Sequence, residues 1–251
     1  MKRLFTFGCS YTNYQWSTWA DCLAPEFDYF ENWVQSGAGN HFIFNSVMEA
    51  DQRHNFGSGD TVIVCWSTFT REDKYVQRRW HTLGNMFNCS TYNPEYLKTH
   101  IDERGCVIRD LAYIKAVKTL LESKPQLNWR FISLANLKAG FQCESEPGEL
   151  EDVVAVYADV LESVLPSYQD MHNKKVIFPG TCWPVEASRF DMFLDSRAED
   201  PHPTPEEHLA YLDAVLPGWV TKESTRVKMH EESINLTKNL KQRAISKVTR
   251  L

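Results

Sequence analysis

Apolar and polar positions alternate along this chain at two different periods. Short apolar runs that end in turn-forming residues predict strands at RLFTF near the N-terminus, WVQS at 33–36, TVIVCW at 61–66, WRFISLAN at 129–136 and KKVIFPG at 174–180. TVIVCW is apolar and β-branched throughout, as a strand covered on both faces must be. Between the strands the apolar period lengthens. HFIFNSVMEA after Gly39, VIRDLAYIKAVKTLLES at 107–123, ELEDVVAVYADVLESVL at 149–165 and PTPEEHLAYLDAVL at 203–216 each place a broad apolar stripe on one helical face. The last of these opens with Thr204 as N-cap, Pro205 at the first helical position and Glu207 completing a capping box. Strands separated by helices predict an α/β chain with a mostly parallel sheet covered on both sides.

Two segments depart from this rhythm. Residues 67–106 are aromatic, charged and poorly periodic, and read as an insertion beyond the C-terminal end of a strand, the place of a lid, a substrate wall or a partner surface. From about residue 221 the composition turns basic, with eight Lys/Arg against three Glu up to Leu251. That segment reads as a helix packed on the body, an arm for homo-oligomer formation, or a tail. The expected organisation is therefore a body over 1–220 and a C-terminal segment over 221–251.

Composition narrows the function classes. A net charge of -6 argues against a nucleic-acid partner, and no apolar run reaches the 18 residues a spanning helix needs. The start of the chain breaks quickly into Gly, Ser and Thr, so it reads as a first strand rather than a signal peptide. The seven Cys form no CxxC pair, which favours reduced thiols, a cytoplasmic setting and no metal site.

In an open parallel sheet, chemistry gathers beyond the carboxyl ends of the strands. The first strand delivers Gly8, Cys9, Ser10, Tyr11 and Thr12 there, and the second delivers SGAGN at 36–40. The third delivers Trp66, Ser67, Thr68 and Thr70, with Arg71 close behind. RAEDPHPTPEEH brings Glu199, Asp200 and His202 to the start of the last periodic helix, whose His208 is expected on the helix face near the mouth. A Ser hydroxyl needs a base within hydrogen-bond reach, and imidazole suits that exchange near neutral pH. The imidazole needs a carboxylate to fix its tautomer, and a tetrahedral intermediate needs donors for its oxyanion. Ser10 and His202 fill the first two roles, with Asp200 or Glu199 as the acid. The backbone N–H groups of Ser10 and Gly39 are the expected oxyanion donors. Tyr11, Trp66, Ser67 and Arg71 stand as candidates to line a substrate.

These blocks resemble those of the SGNH (GDSL-type) hydrolases. FTFGCSYT is similar to the family's first block, NWVQSGAGN to its second and EDPHPTPEEH to its last, over roughly residues 3–216. The resemblance implies a three-layer α/β/α flavodoxin-like sandwich with a mostly parallel five-stranded sheet, no metal and no cofactor. It implies hydrolysis of a carboxylic ester, with a short acyl group on a carbohydrate or similar small substrate as the expected class. Acyl transfer through the same Ser–His pair, or a non-catalytic glycan-binding protein on the same fold, are the alternatives. The chain departs from the family pattern twice. After the third strand it has no Asn to serve the oxyanion hole, leaving Thr68, Ser67, Thr70 or Asn40 as substitutes. The family's D-x-x-H spacing selects Glu199, whereas Asp200, favoured here because a loop ending at a proline pair can curl back, lies in a D-x-H spacing.

Overall fold

The computed structural model describes residues 1–86, 92–139, 150–172 and 202–248. Within them, four strands form one parallel sheet in the order β2-β1-β3-β6: β1 Arg3–Gly8, β2 Tyr29–Val34, β3 Asp60–Trp66 and β6 Asn128–Ser133. The fifth expected strand, 174–180, lies outside the described residues. β1 and β3 hold the interior positions, and every residue of β3 is buried, as its unbroken apolar run requires. A paired contact locks these two strands at their starts. Arg3 Nε and Nη2 donate to the two carboxylate oxygens of Asp60, each at 2.6 Å. β2 starts at Tyr29, four residues before the WVQS run, and ends at Val34, because its alternating residues pair with β1 as far as Gly8.

Helices flank the sheet. α1 (Trp19–Leu23), α2 (Asn40–His54), α3 (Pro94–His100), α4 (Glu103–Glu122), α5 (Glu151–Val156), α6 (Ala158–Leu161), α7 (Tyr168–His172), α8 (Pro205–Val215) and α9 (Glu223–Val248) follow in chain order. α2 packs on β1, β2 and β3 and against α4, which in turn meets α5 and α6, while α1, α8 and α9 pack on one another. The architecture is an α/β/α sandwich around a mostly parallel sheet, as expected. Local signals set the helix ends. Asp102 caps α4 by accepting from Gly105 N at 2.7 Å, and Asn55 ends α2 in the left-handed conformation at φ 46°. The capping box of α8 forms as its sequence predicts, with Thr204 Oγ1 accepting from Glu207 N and Glu207 accepting from Thr204 N.

Two expectations are corrected. The periodic stretch 149–165 is not one helix but α5 and α6, separated at Tyr157. Its apolar end is drawn to the sheet edge instead, where Leu165 N donates to Phe131 O at 2.9 Å and Val164 bridges β6. The poorly periodic insertion contains an antiparallel hairpin, β4 (Arg71–Val76) and β5 (Arg79–Asn85), joined by Gln77 and Arg78. Both turn residues have positive φ, 53° and 64°, in the manner of a type I′ turn but without the glycine that normally marks one. The hairpin folds back onto the α2 entry, where Gly84 N donates to Gly37 O and Thr82 Oγ1 to Ser36 O.

Candidate active site

The loops after β1, β2 and β3 all emerge at the carboxyl edge of the sheet, and α8 brings its N-terminal approach to the first of them. Ser10 stands two residues past the end of β1, largely buried. Its Oγ lies 2.8 Å from His202 Nε2, across 192 residues of sequence, which is the separation needed for direct proton exchange. Gly8 allows this strand exit. A Cβ there would fall 2.1 Å from Thr12 Oγ1 and 3.2 Å from Cys65 Cβ, so only hydrogen fits. Cys9 is buried in the core.

The loop carrying Ser10 is held at several points. Thr12 O accepts from Thr18 Oγ1 at 2.8 Å and from Asn32 Nδ2 at 3.1 Å, and Ser17 N donates to Glu232 Oε1 of α9 at 3.0 Å. Four residues past the serine, Tyr14 lies almost parallel to the His202 ring, 3.8 Å between centroids and 15° between planes. Trp16 meets Tyr14 edge-on at 4.6 Å and donates its indole N–H to Pro203 O at 2.7 Å. Tyr11, buried, lies 5.4 Å from His202 on a tilted plane and meets Tyr168 edge-on. None of the contacts of Tyr14 and Trp16 follows from strand or helix periodicity. Their only trace in the sequence is the aromatic spacing in SYTNYQW.

His208 is not at the mouth. It is buried, with Nδ1 2.8 Å from Tyr168 OH, and Tyr168 stacks on Tyr211 at 3.7 Å. Burial pushes the Tyr168 and Tyr211 phenols well above their ordinary range, so both remain protonated. Glu199 and Asp200 lie outside the described residues.

The second loop differs from its expected form. Gly39 is the N-cap of α2, yet its N–H does not stand open. It donates to Asp73 of β4, at 2.9 Å to Oδ1 and 3.1 Å to Oδ2, and Phe42 N donates to Asp73 Oδ2 at 2.8 Å. The physical reason is the hairpin, which lays a carboxylate on the N-terminus of α2, where helix amides and dipole favour an anion. A Cβ on Gly39 would fall 2.8 Å from Arg71 Cβ, so the approach is as close as a glycine permits. Burial raises the Asp73 carboxyl despite these hydrogen bonds from backbone N–H groups and the nearby His41 and Arg71.

Asn40 is turned inward as well. Its Oδ1 accepts from Ser67 N at 2.8 Å, and its Nδ2 donates to Ser67 O at 3.2 Å and to Asp110 Oδ2 at 2.9 Å. It thereby ties the end of β3 to α2 and α4. Asp110 also accepts from Arg109 Nε at 2.7 Å, and burial carries its carboxyl up to about 6. Asp73, Asp110 and Arg109 carry this network without any motif to announce them.

The third loop supplies little open surface. Thr68 Oγ1 pairs with Thr70 Oγ1 at 2.8 Å. Trp66 is fully buried edge-on to Phe131, because β3 is covered on both faces, and Ser67 is also fully buried. Arg71 is buried and donates through Nη1 to Ala38 O at 2.9 Å. Trp66, Ser67 and Arg71 are therefore packed inside the protein rather than exposed at its surface. Among the described residues no cluster of His, Cys, Asp and Glu is arranged to hold a metal, and no helix is long and apolar enough to cross a membrane.

No protein-family model matches the sequence, and no curated protein matches it. The crystal structure of protein YxiM from Bacillus subtilis aligns with 66% of this chain and 43% of its own, at 14% identity and a TM-score of 0.36. The chain thus corresponds to less than half the length of that protein.

Proposed function

We propose that the chain is a serine esterase of SGNH type, acting on a short acyl ester of a carbohydrate or a similar small substrate. The observation that carries this reading is the 2.8 Å approach of His202 Nε2 to Ser10 Oγ at the carboxyl edge of a parallel sheet. In the proposed reaction Ser10 Oγ attacks the ester carbonyl while its proton passes to His202. The same proton leaves with the alcohol, and water, activated by His202, then releases the acid from the acyl-serine. Glu199 or Asp200 is assigned to orient the imidazole. The Ser10 N–H is assigned to the oxyanion, joined by Gly39 N–H if Asp73 withdraws. Exposed aromatic and basic residues of the hairpin, Tyr75, Arg78 and Arg79, favour a sugar-bearing substrate.

The hydrogen bonds that the Gly39 N–H donates to Asp73 favour a second reading, in which the fold keeps the Ser–His pair but binds rather than hydrolyses. Fluorophosphonate labelling with peptide mapping, followed by a panel of short acyl esters, separates the two. The expected result is label on Ser10 and hydrolysis that drops at least a thousandfold in Ser10→Ala. An unlabelled wild-type chain inert towards every ester sinks the esterase reading.

A further inference from the structure

We propose that Tyr14 is a positioning residue for His202. Its ring holds the imidazole against Ser10 and favours the imidazolium form, while Trp16 fixes the backbone beside it. This deepens the esterase reading and rests on Ser10 and His202 being the reacting pair. His202 lies ahead of the capped turn of α8 and belongs to no strand or helix, so regular structure does not set its ring. A ring stack on the imidazole and a hydrogen bond to the residue after it contribute to that setting. Tyr14 covers one face of the imidazole at 3.8 Å and 15°, and the Trp16 indole N–H holds Pro203 O, the next residue along the chain, at 2.7 Å.

The face of a phenol ring carries negative potential and attracts a cation above it. Protonating His202 therefore strengthens the stack, and the step that moves the Ser10 proton to Nε2 creates that cation. Tyr14 and Trp16 lie on the same loop as Ser10, so nucleophile and clamp share one set of anchors, through Thr12 O and Ser17 N. Among the titratable groups of the described elements, Tyr11 and Tyr14 touch the ring. On the helices packed beside it, Glu207 accepts from Thr204 N, Glu232 from Ser17 N, and Glu206 lies against His230.

The test follows the His202 imidazole resonances through a pH titration, which requires no ester, alongside the rate of Ser10 phosphonylation. In Tyr14→Leu the titration moves to lower pH and phosphonylation slows about tenfold, the size a contact of this kind supports. Tyr14→Phe keeps the ring face and matches the wild type in both readouts. Trp16→Phe keeps an aromatic edge on Tyr14 but loses the bond to Pro203, so it slows phosphonylation several-fold without moving the titration. Tyr14→Met makes the same test as Leu should the Leu variant lose its native spectrum. An unmoved titration in the Leu or Met variant overturns the proposal, and so does equal slowing in Leu and Phe. If the titration shifts as expected while wild-type Ser10 neither labels nor hydrolyses, the clamp stands and the esterase reading falls.

Discussion

Asp110 joins the chemistry of single residues to the stability of the chain. Its carboxylate is fully buried, accepts from Asn40 and Arg109, and titrates at about 6 against an ordinary 3.8 because burial disfavours its charge. A carboxyl raised in the folded state binds its proton more tightly there than in the unfolded chain. Its contribution is therefore fully present below the unfolded value and is lost as pH rises from about 4 to about 6. Asp110→Asn does not ionise and keeps one acceptor oxygen. Across that window the wild type should lose about 3 kcal/mol relative to this variant, two pKa units at about 1.4 kcal/mol each. Denaturant titrations at a series of pH values measure this difference, and a constant gap between the two proteins contradicts the assignment. The Ser10–His202 pair was the readable part of this neighbourhood. Ser10 follows a predicted strand and His202 precedes a capping box, and it is their combination with SGAGN, not either local signal alone, that singles them out. The partners of Gly39 and Asn40 were not readable, because Asp73 and Asp110 reach them across 34 and 70 residues through folding that no local pattern encodes.

Among the elements, the β4–β5 hairpin does most to shape the site, and the periodicity missed it. Its strands carry charged and aromatic residues on both faces, and Tyr75, Val76 and Leu83 are exposed, so alternation is blurred. Its turn, Gln77-Arg78, lacks Asn-Gly or Asp-Gly, the usual sequence mark of a two-residue hairpin. Each of those residues bears a left-handed backbone at a steric cost that glycine avoids and asparagine reduces. Replacing Gln77-Arg78 by Asn-Gly should therefore stabilise the protein by about 1 kcal/mol, read as a higher denaturant midpoint. An unchanged or lower midpoint would mean that these side chains contribute contacts that outweigh the backbone strain. The helices were better marked. Thr204, Asp102 and Asn55 set ends that packing alone would leave undefined. The long stripe at 149–165 misled because its last apolar residues serve the edge of β6, and an apolar residue looks the same in either role.

At the scale of the whole molecule, the parallel sheet follows from apolar runs whose lengths and spacing suit parallel strands, whereas its order does not. Nor does the position of α9, since the buried residues among those whose burial is described, Thr225, Met229 and Ser233, are mostly polar and widely spaced along a basic segment. Yet that helix fastens both sides of the site. Glu232 Oε1 accepts from Ser17 N on the serine loop, and the neighbouring Ser233 Oγ accepts from Glu206 N at the head of α8. The serine itself hangs from β1, an interior strand. This pairing has a consequence for how the amide protons exchange with solvent. Amides of β1 and β3 should exchange only when the whole chain unfolds, whereas those of α8 and α9, together with Ser17 N, should exchange through a smaller opening. Such an opening would part His202 from Ser10 while the sheet stays intact, so the lifetime of their 2.8 Å contact would be set by the C-terminal helix and not by the core. Hydrogen exchange resolved to single residues checks this, and a Ser17 amide as slow as those of β1 would show that no separate opening exists.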